Sequence, residues 1–151
     1  MKTGTTARVI VAGAAVLAAV GVGGTAQADA PGQLLQFRSP SGNIACAFTT
    51  AIGGKPGILC NIANFTYTPP QRPDWCKDGG WGSSLFLVEG GTPAFGCQGQ
   101  GISSDGLPIL YFSHSTTSGN ITCLSAAEGI TCTDTSTGHY FRIARESYEL
   151  H

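Results

Sequence analysis

Ser41-Gly42-Asn43-Ile44-Ala45-Cys46 and Ser118-Gly119-Asn120-Ile121-Thr122-Cys123 are two copies of one phrase, Ser-Gly-Asn-Ile-x-Cys, in a chain of 151 residues. A second cysteine answers each copy: Gly57-Ile58-Leu59-Cys60 after the first and Gly129-Ile130-Thr131-Cys132 after the second. Around the first copy, Ile44, Cys46 and Phe48 alternate with Ala45 and Ala47, the period-2 pattern of a half-buried strand. Ile58, Cys60 and Ile62 form the answering strand. With Cys46 opposite Cys60, antiparallel pairing sets Ile44 against Ile62 and Phe48 against Ile58, so apolar positions meet on one face. A slip of one residue would turn those faces to water. In the second copy Ile121, Cys123 and Ser125 lead through Ala126-Ala127-Glu128-Gly129 to Ile130 and Cys132. An even-length loop with glycine near its end is a common hairpin solution. The repeat therefore predicts two hairpins, each stapled across its strands.

The pattern extends outward from both hairpins. Gln33 to Arg38 predicts a first strand, and Ser39-Pro40-Ser41-Gly42 has the residue preferences of a type I turn. Ala51 to Gly57, interrupted by Gly and Pro, predicts the reversal of the first hairpin and no strand of its own. Asp134 to Gly138 predicts a turn, after which His139, Phe141 and Ile143 alternate with Tyr140, Arg142 and Ala144. Each half then has three strands. Between them Asn64 to Pro73 is aromatic and Pro-rich, with prolines that exclude helix. Trp75-Cys76-Lys77-Asp78-Gly79-Gly80-Trp81-Gly82 is a tight bend flanked by tryptophans. Leu85 to Val88 predicts a buried strand, Gln98 to Gly106 a polar loop, and Leu107 to Phe112 an edge strand that tolerates Pro108. The expected fold is all-β: a small disulfide-stapled domain of two related hairpin or meander units, joined by an irregular, aromatic, Gly/Pro-rich middle segment.

Lys2 and Arg8, the uncharged run Val9 to Gly24, and Thr25-Ala26-Gln27-Ala28 make an export signal with a small-x-small cleavage site. The run is too short and too rich in Gly and Ala for a membrane span. Residues 1–28 are thus expected to be removed, leaving 29–151 as a single secreted β-rich domain. Without Lys2 and Arg8 the chain keeps six basic and nine acidic residues, a formal charge of −3. That balance excludes the broad basic face of a nucleic-acid binder.

The six cysteines, at 46, 60, 76, 97, 123 and 132, all lie in the exported part and read as a disulfide framework. No Cys-x-x-Cys or close Cys/His pairing suggests zinc, and neither a metal nor a cofactor is expected. The hairpin registers pair Cys46 with Cys60 and Cys123 with Cys132, which leaves Cys76 for Cys97 by elimination. Closing such loops is worth roughly 2–4 kcal/mol each in the chain-entropy model. Set against a typical net stability of about 5–15 kcal/mol, three bridges are a large share.

The run Phe37-Arg38-Ser39-Pro40-Ser41-Gly42-Asn43-Ile44-Ala45-Cys46, the two-cysteine hairpins and the closing Gly138-His139-Tyr140-Phe141-Arg142-Ile143-Ala144-Arg145 together resemble a family of small exported actinobacterial proteins of unknown function. The likeness covers nearly the whole exported chain. It implies a secreted or wall-associated β-rich domain and brings no catalytic or binding residue with it.

Candidate sites come from the residues alone. A Ser-His-Asp set would need His114 or His139 in contact with a serine and with Asp105 or Asp134. No Gly-x-Ser-x-Gly elbow accompanies them, and His139 shares the apolar face of Phe141 and Ile143. Asp74, Asp78, Glu89 and Asp105 are the carboxylates from which a glycosidase pair would be drawn. Asp74 and Asp78 flank the Gly-rich bend and read better as turn formers. Trp75 and Trp81, beside Cys76 and near Tyr67, are the candidate ligand-binding residues: rings on a stapled loop can stack on sugars or anchor a protein. The competing role is core filling. Coplanar exposed rings would favour binding; a histidine bonded to serine and aspartate in a cleft would favour chemistry. Arg38 and Arg142, each after a phenylalanine, are expected to face solvent or pair with a carboxylate. The leading expectation is a secreted non-catalytic module that binds a cell-wall glycan or a secreted protein. The alternative is a small extracellular hydrolase.

Overall fold

The computed structural model describes residues 34–151, so the expected export segment, 1–28, lies outside the described residues. Ten strands form two five-stranded antiparallel sheets, and among the described residues there is no helix. The first sheet is β1 (Gln36–Arg38), β2 (Ile44–Ile52), β3 (Lys55–Ile62), β4 (Ser84–Val88) and β5 (Ala94–Phe95). The second is β6 (Ser115–Ser118), β7 (Ile121–Ala126), β8 (Gly129–Asp134), β9 (Tyr140–Ile143) and β10 (Tyr148–Leu150). In each sheet the strands lie side by side in chain order, so both are simple meanders.

The registers follow the alternation in the sequence. Ile44 faces Ile62, Cys46 faces Cys60 and Phe48 faces Ile58; Cys123 faces Cys132 in the second hairpin. Disulfides join these opposed cysteines, whose Cα atoms are 4.1 and 4.0 Å apart, and the third bridge joins Cys76 to Cys97. Three disulfides fit an extracellular protein. Phe37, Ile58, Leu85 and Leu87 of the first sheet and Ile121, Ile130, Phe141 and Ile143 of the second are fully buried in one continuous cluster. β4 packs against β8 and β9, so the sheets close over a shared core. Burying each such side chain contributes about 1.5–3 kcal/mol.

Both halves extend beyond three strands. The middle segment supplies β4 and β5 to the first sheet, and the polar Ser115–Ser118 and the short Tyr148–Leu150 border the second. The first reversal is also tighter than expected. β2 and β3 run on to Gly53-Gly54, a two-residue turn with both φ angles positive (63° and 72°), the backbone that glycine adopts freely. Pro56 is tolerated in β3 because the pairing is irregular between Thr49 and Ile52. Leu107 to Phe112 is not a strand. It makes one parallel bridge, Arg38 to Ile109, and buries only Leu110, while Tyr111 and Phe112 project outward.

The Ser-Gly-Asn turns are related but unequal. The Asn43 carbonyl accepts the N–H of Ala63, and the Asn120 carbonyl accepts that of Thr135, each the third residue after the returning cysteine. The first turn spans Ser39 to Asn43, with the Gly42 N–H donated to the Ser39 carbonyl, whereas the second is only Gly119 and Asn120. No helix among the described residues is long and apolar enough to cross a membrane.

Candidate functional site

The loop between β3 and β4 carries the candidate aromatics, and it is tied down along its length. The Cys76 N–H donates to the Pro73 carbonyl, and the Arg72 guanidinium donates to the carbonyls of Lys77 and Gly79 at 3.2 and 2.8 Å. Cys76 is bonded to Cys97, and Gly80 exchanges backbone hydrogen bonds with Gln98. Gly79 lies so close to this bridge that a Cβ there would sit 2.7 Å from the Cys97 Sγ; only glycine lets the strands of the loop approach this far.

Trp75 and Trp81 have different environments. Trp75 is 68% exposed, whereas Trp81 is half-buried against the core and donates its Nε1–H to the Pro70 carbonyl at 2.7 Å. Their rings meet at 5.9 Å and 86°, so they form no flat two-ring platform. Trp75 stands at the end of a row of rings: Trp81, Phe95, Tyr148, Tyr67 and Phe65 follow in contact, with centroids 4.5–5.9 Å apart. Edge-to-face and offset contacts of this kind add about 0.5–1.5 kcal/mol each beyond burial. Tyr67 is half-buried, and its hydroxyl donates to the Gly82 carbonyl at 2.6 Å. Burial, with a smaller contribution from Tyr148, pushes its pKa up to about 12. Beside Trp75 an open hollow of about 500 Å³ is lined by Asp74, Lys77, Asp78 and the Cys97 end of the bridge.

The residues considered for hydrolysis are not brought together. His114 is exposed, its Nδ1 3.0 Å from the Phe112 carbonyl, and His139 Nδ1 lies 2.8 Å from the Gly91 carbonyl. The Asp134 carboxylate accepts from the Ser136 hydroxyl and N–H and from the Gly90 N–H. Burial alone would raise the Asp134 pKa. The hydrogen bonds from Ser136, Gly90 and Thr137 outweigh it and hold the carboxyl below the usual carboxylate range. Glu89 accepts the N–H of Asn120, and Asp105 is exposed. Among the described residues no group of three or more His, Cys, Asp or Glu side chains is placed to hold a metal. Arg142 pairs with Glu149 at 2.6 Å, whereas Arg38 donates to the Leu107 carbonyl instead of a carboxylate.

A larger concavity, of about 590 Å³, escaped sequence reasoning. It lies between the long Ser39–Asn43 turn and the β7–β8 and β9–β10 turns, with Phe112 at its edge. Five segments far apart in the chain build it, Asn64 among them, so no local pattern announces it.

The described residues thus define a small, disulfide-stapled all-β protein with two candidate surfaces. Its sequence matches the model of a family of unknown function, DUF6636, over residues 15–151, and the chain belongs to that family. No curated protein and no solved structure matches it.

Proposed function

We propose that the protein is a secreted, non-catalytic binding module that recognises a cell-wall glycan through Trp75. The observation that carries this reading is an indole 68% exposed on a loop held by a disulfide and by Arg72. A ring already fixed loses little freedom on binding. The hollow beside it offers Asp74 and Asp78, whose carboxylates suit sugar hydroxyls. Trp81 and Tyr67 serve the site by backing and anchoring the loop. The separation of His114, His139, Asp105 and Asp134 gives the hydrolase alternative no comparable support.

The test is sedimentation of the oxidised protein with purified bacterial cell wall, compared for wild type and Trp75→Ala. The variant should stay folded, because the ring is largely outside the core, and should lose roughly tenfold or more in affinity, about 1.4 kcal/mol. Trp81→Ala should instead lower stability, since its ring packs on Phe95. Unchanged wall binding by Trp75→Ala, or capture of a secreted protein and no wall polymer, would reject the glycan reading.

A further inference from the structure

We propose that the groove between the two sheets is a second binding site, whose ligand is a short peptide segment carrying neighbouring acidic and basic side chains. The groove encloses about 590 Å³, within the ordinary range of ligand sites and enough for a few residues.

Its charges specify the ligand. Arg145, Glu128 and Glu146 line it, and none of them has an ion-pair partner among the described residues. The fourth charge, Arg142, is already used: it bonds Glu149 at 2.6 Å and the Glu128 carbonyl at 3.4 Å. A simple anion would meet two glutamates, and a simple cation would meet Arg145. A neutral glycan could hydrogen-bond these groups but would bring no opposite charge to any of the three. A peptide bearing both signs complements all three, and the exposed ring of Phe112, 54% accessible, suits an apolar side chain beside them.

The walls are preorganised. On one side the Asn43 side-chain amide donates to the Asn64 carbonyl and accepts the Asn64 N–H, each at 2.9 Å. On the other, Gly129 presses so closely on β9 that a Cβ would fall 2.3 Å from the Ile143 carbonyl oxygen. The lengthened Ser39–Asn43 turn is an independent indication. The matching turn of the second half manages with Gly119 and Asn120 alone, and the additional residues of the first copy form a wall of the groove.

The experiment uses the full oxidised protein, isotopically labelled, titrated with synthetic tetrapeptides. One peptide carries a lysine and a glutamate, and controls of equal length carry two lysines, two glutamates or neither. The mixed peptide should shift the amide resonances of Asn43, Asn64, Glu128 and Glu146 saturably, and should bind at least tenfold more tightly than every control. Arg145→Gln, exposed and therefore expected to fold, should abolish the preference; unchanged resonances elsewhere verify its fold. The proposal is overturned if no peptide shifts these amides at millimolar concentration, if the controls bind equally, or if Arg145→Gln keeps the preference. Because Trp75 lies outside this groove, Trp75→Ala should leave the titration unchanged, whatever becomes of wall binding.

Discussion

Asp134 Oδ2 accepts the N–H of Gly90 at 2.7 Å, so a carboxylate at the end of β8 in one sheet is satisfied by the turn after β4 in the other. The same turn accepts on either side: Glu89 takes the Asn120 N–H at 2.7 Å, and the Gly91 carbonyl takes the His139 Nδ1–H at 2.8 Å. Three consecutive residues of the first half thus clasp the second.

Asp134→Asn keeps the size of the side chain but places an amide where two acceptor oxygens are needed. Leaving one part-buried donor unpaired should lower stability by about 1 kcal/mol, read as a shift in the urea midpoint at neutral pH. The carboxyl is held below the ordinary range, so its ionised form favours the fold. Its contribution is complete above that range, near pH 4 and upward, and is lost as pH falls through the folded value. The difference between wild type and Asp134→Asn should therefore shrink on acidification.

Tyr67 gives the opposite sign at the alkaline end. Its pKa is raised to about 12, so the neutral phenol favours the fold. That contribution is intact below about pH 10 and disappears as pH rises through the folded value. An ultraviolet titration should show one phenol ionising late, and Tyr67→Phe should remove that phase alone.

The hairpins bear on the sequence as much as on the structure. Cysteines at alternating apolar positions reveal register because a bridge and a buried face impose the same alignment, and the Ile44–Ile62 and Phe48–Ile58 pairs satisfy both. The border strands escape the same logic. Ser115–Ser118 has no apolar alternation, and Tyr148–Leu150 is too short to show one. Leu107 to Phe112 misleads for the converse reason: an apolar run there buries Leu110 and exposes its aromatics. Trp75 stood out in the sequence because a tryptophan beside a cysteine in a Gly-rich bend is locally unusual, and the structure leaves its ring exposed. The groove was not, because its walls are turns brought together only by the packing of two sheets.

Gly129→Ala should be much more damaging than Gly53→Ala. Both glycines have positive φ, 128° and 63°, but a Cβ at Gly53 enters open space while one at Gly129 strikes the Ile143 carbonyl. The left-handed backbone alone accounts for about 1–2 kcal/mol at Gly53. Thermal melts should place Gly129→Ala well below that variant, and a melting point equal to the Gly53 variant would show that the β7–β8 turn yields easily.

Removing the disulfides pairwise, as Ala/Ala variants, should rank them by loop length. Cys76–Cys97 closes 21 residues, Cys46–Cys60 closes 14 and Cys123–Cys132 closes 9. In the chain-entropy model each is worth roughly 2–4 kcal/mol, with the longest loop at the top. Urea unfolding of the three variants checks the order.

The side-by-side order of the strands has a temporal meaning. Within each sheet every strand after the first pairs with the one made just before it, so the chain need not hold a sticky segment open for a partner far downstream. In a polypeptide that emerges N-terminus first, the first meander has all its strands once Phe95 has appeared, while the second is still being made. The clasp of Glu89, Gly90 and Gly91 can close only after Asn120, Asp134 and His139 have followed, a latch set in the first half before its catch is made.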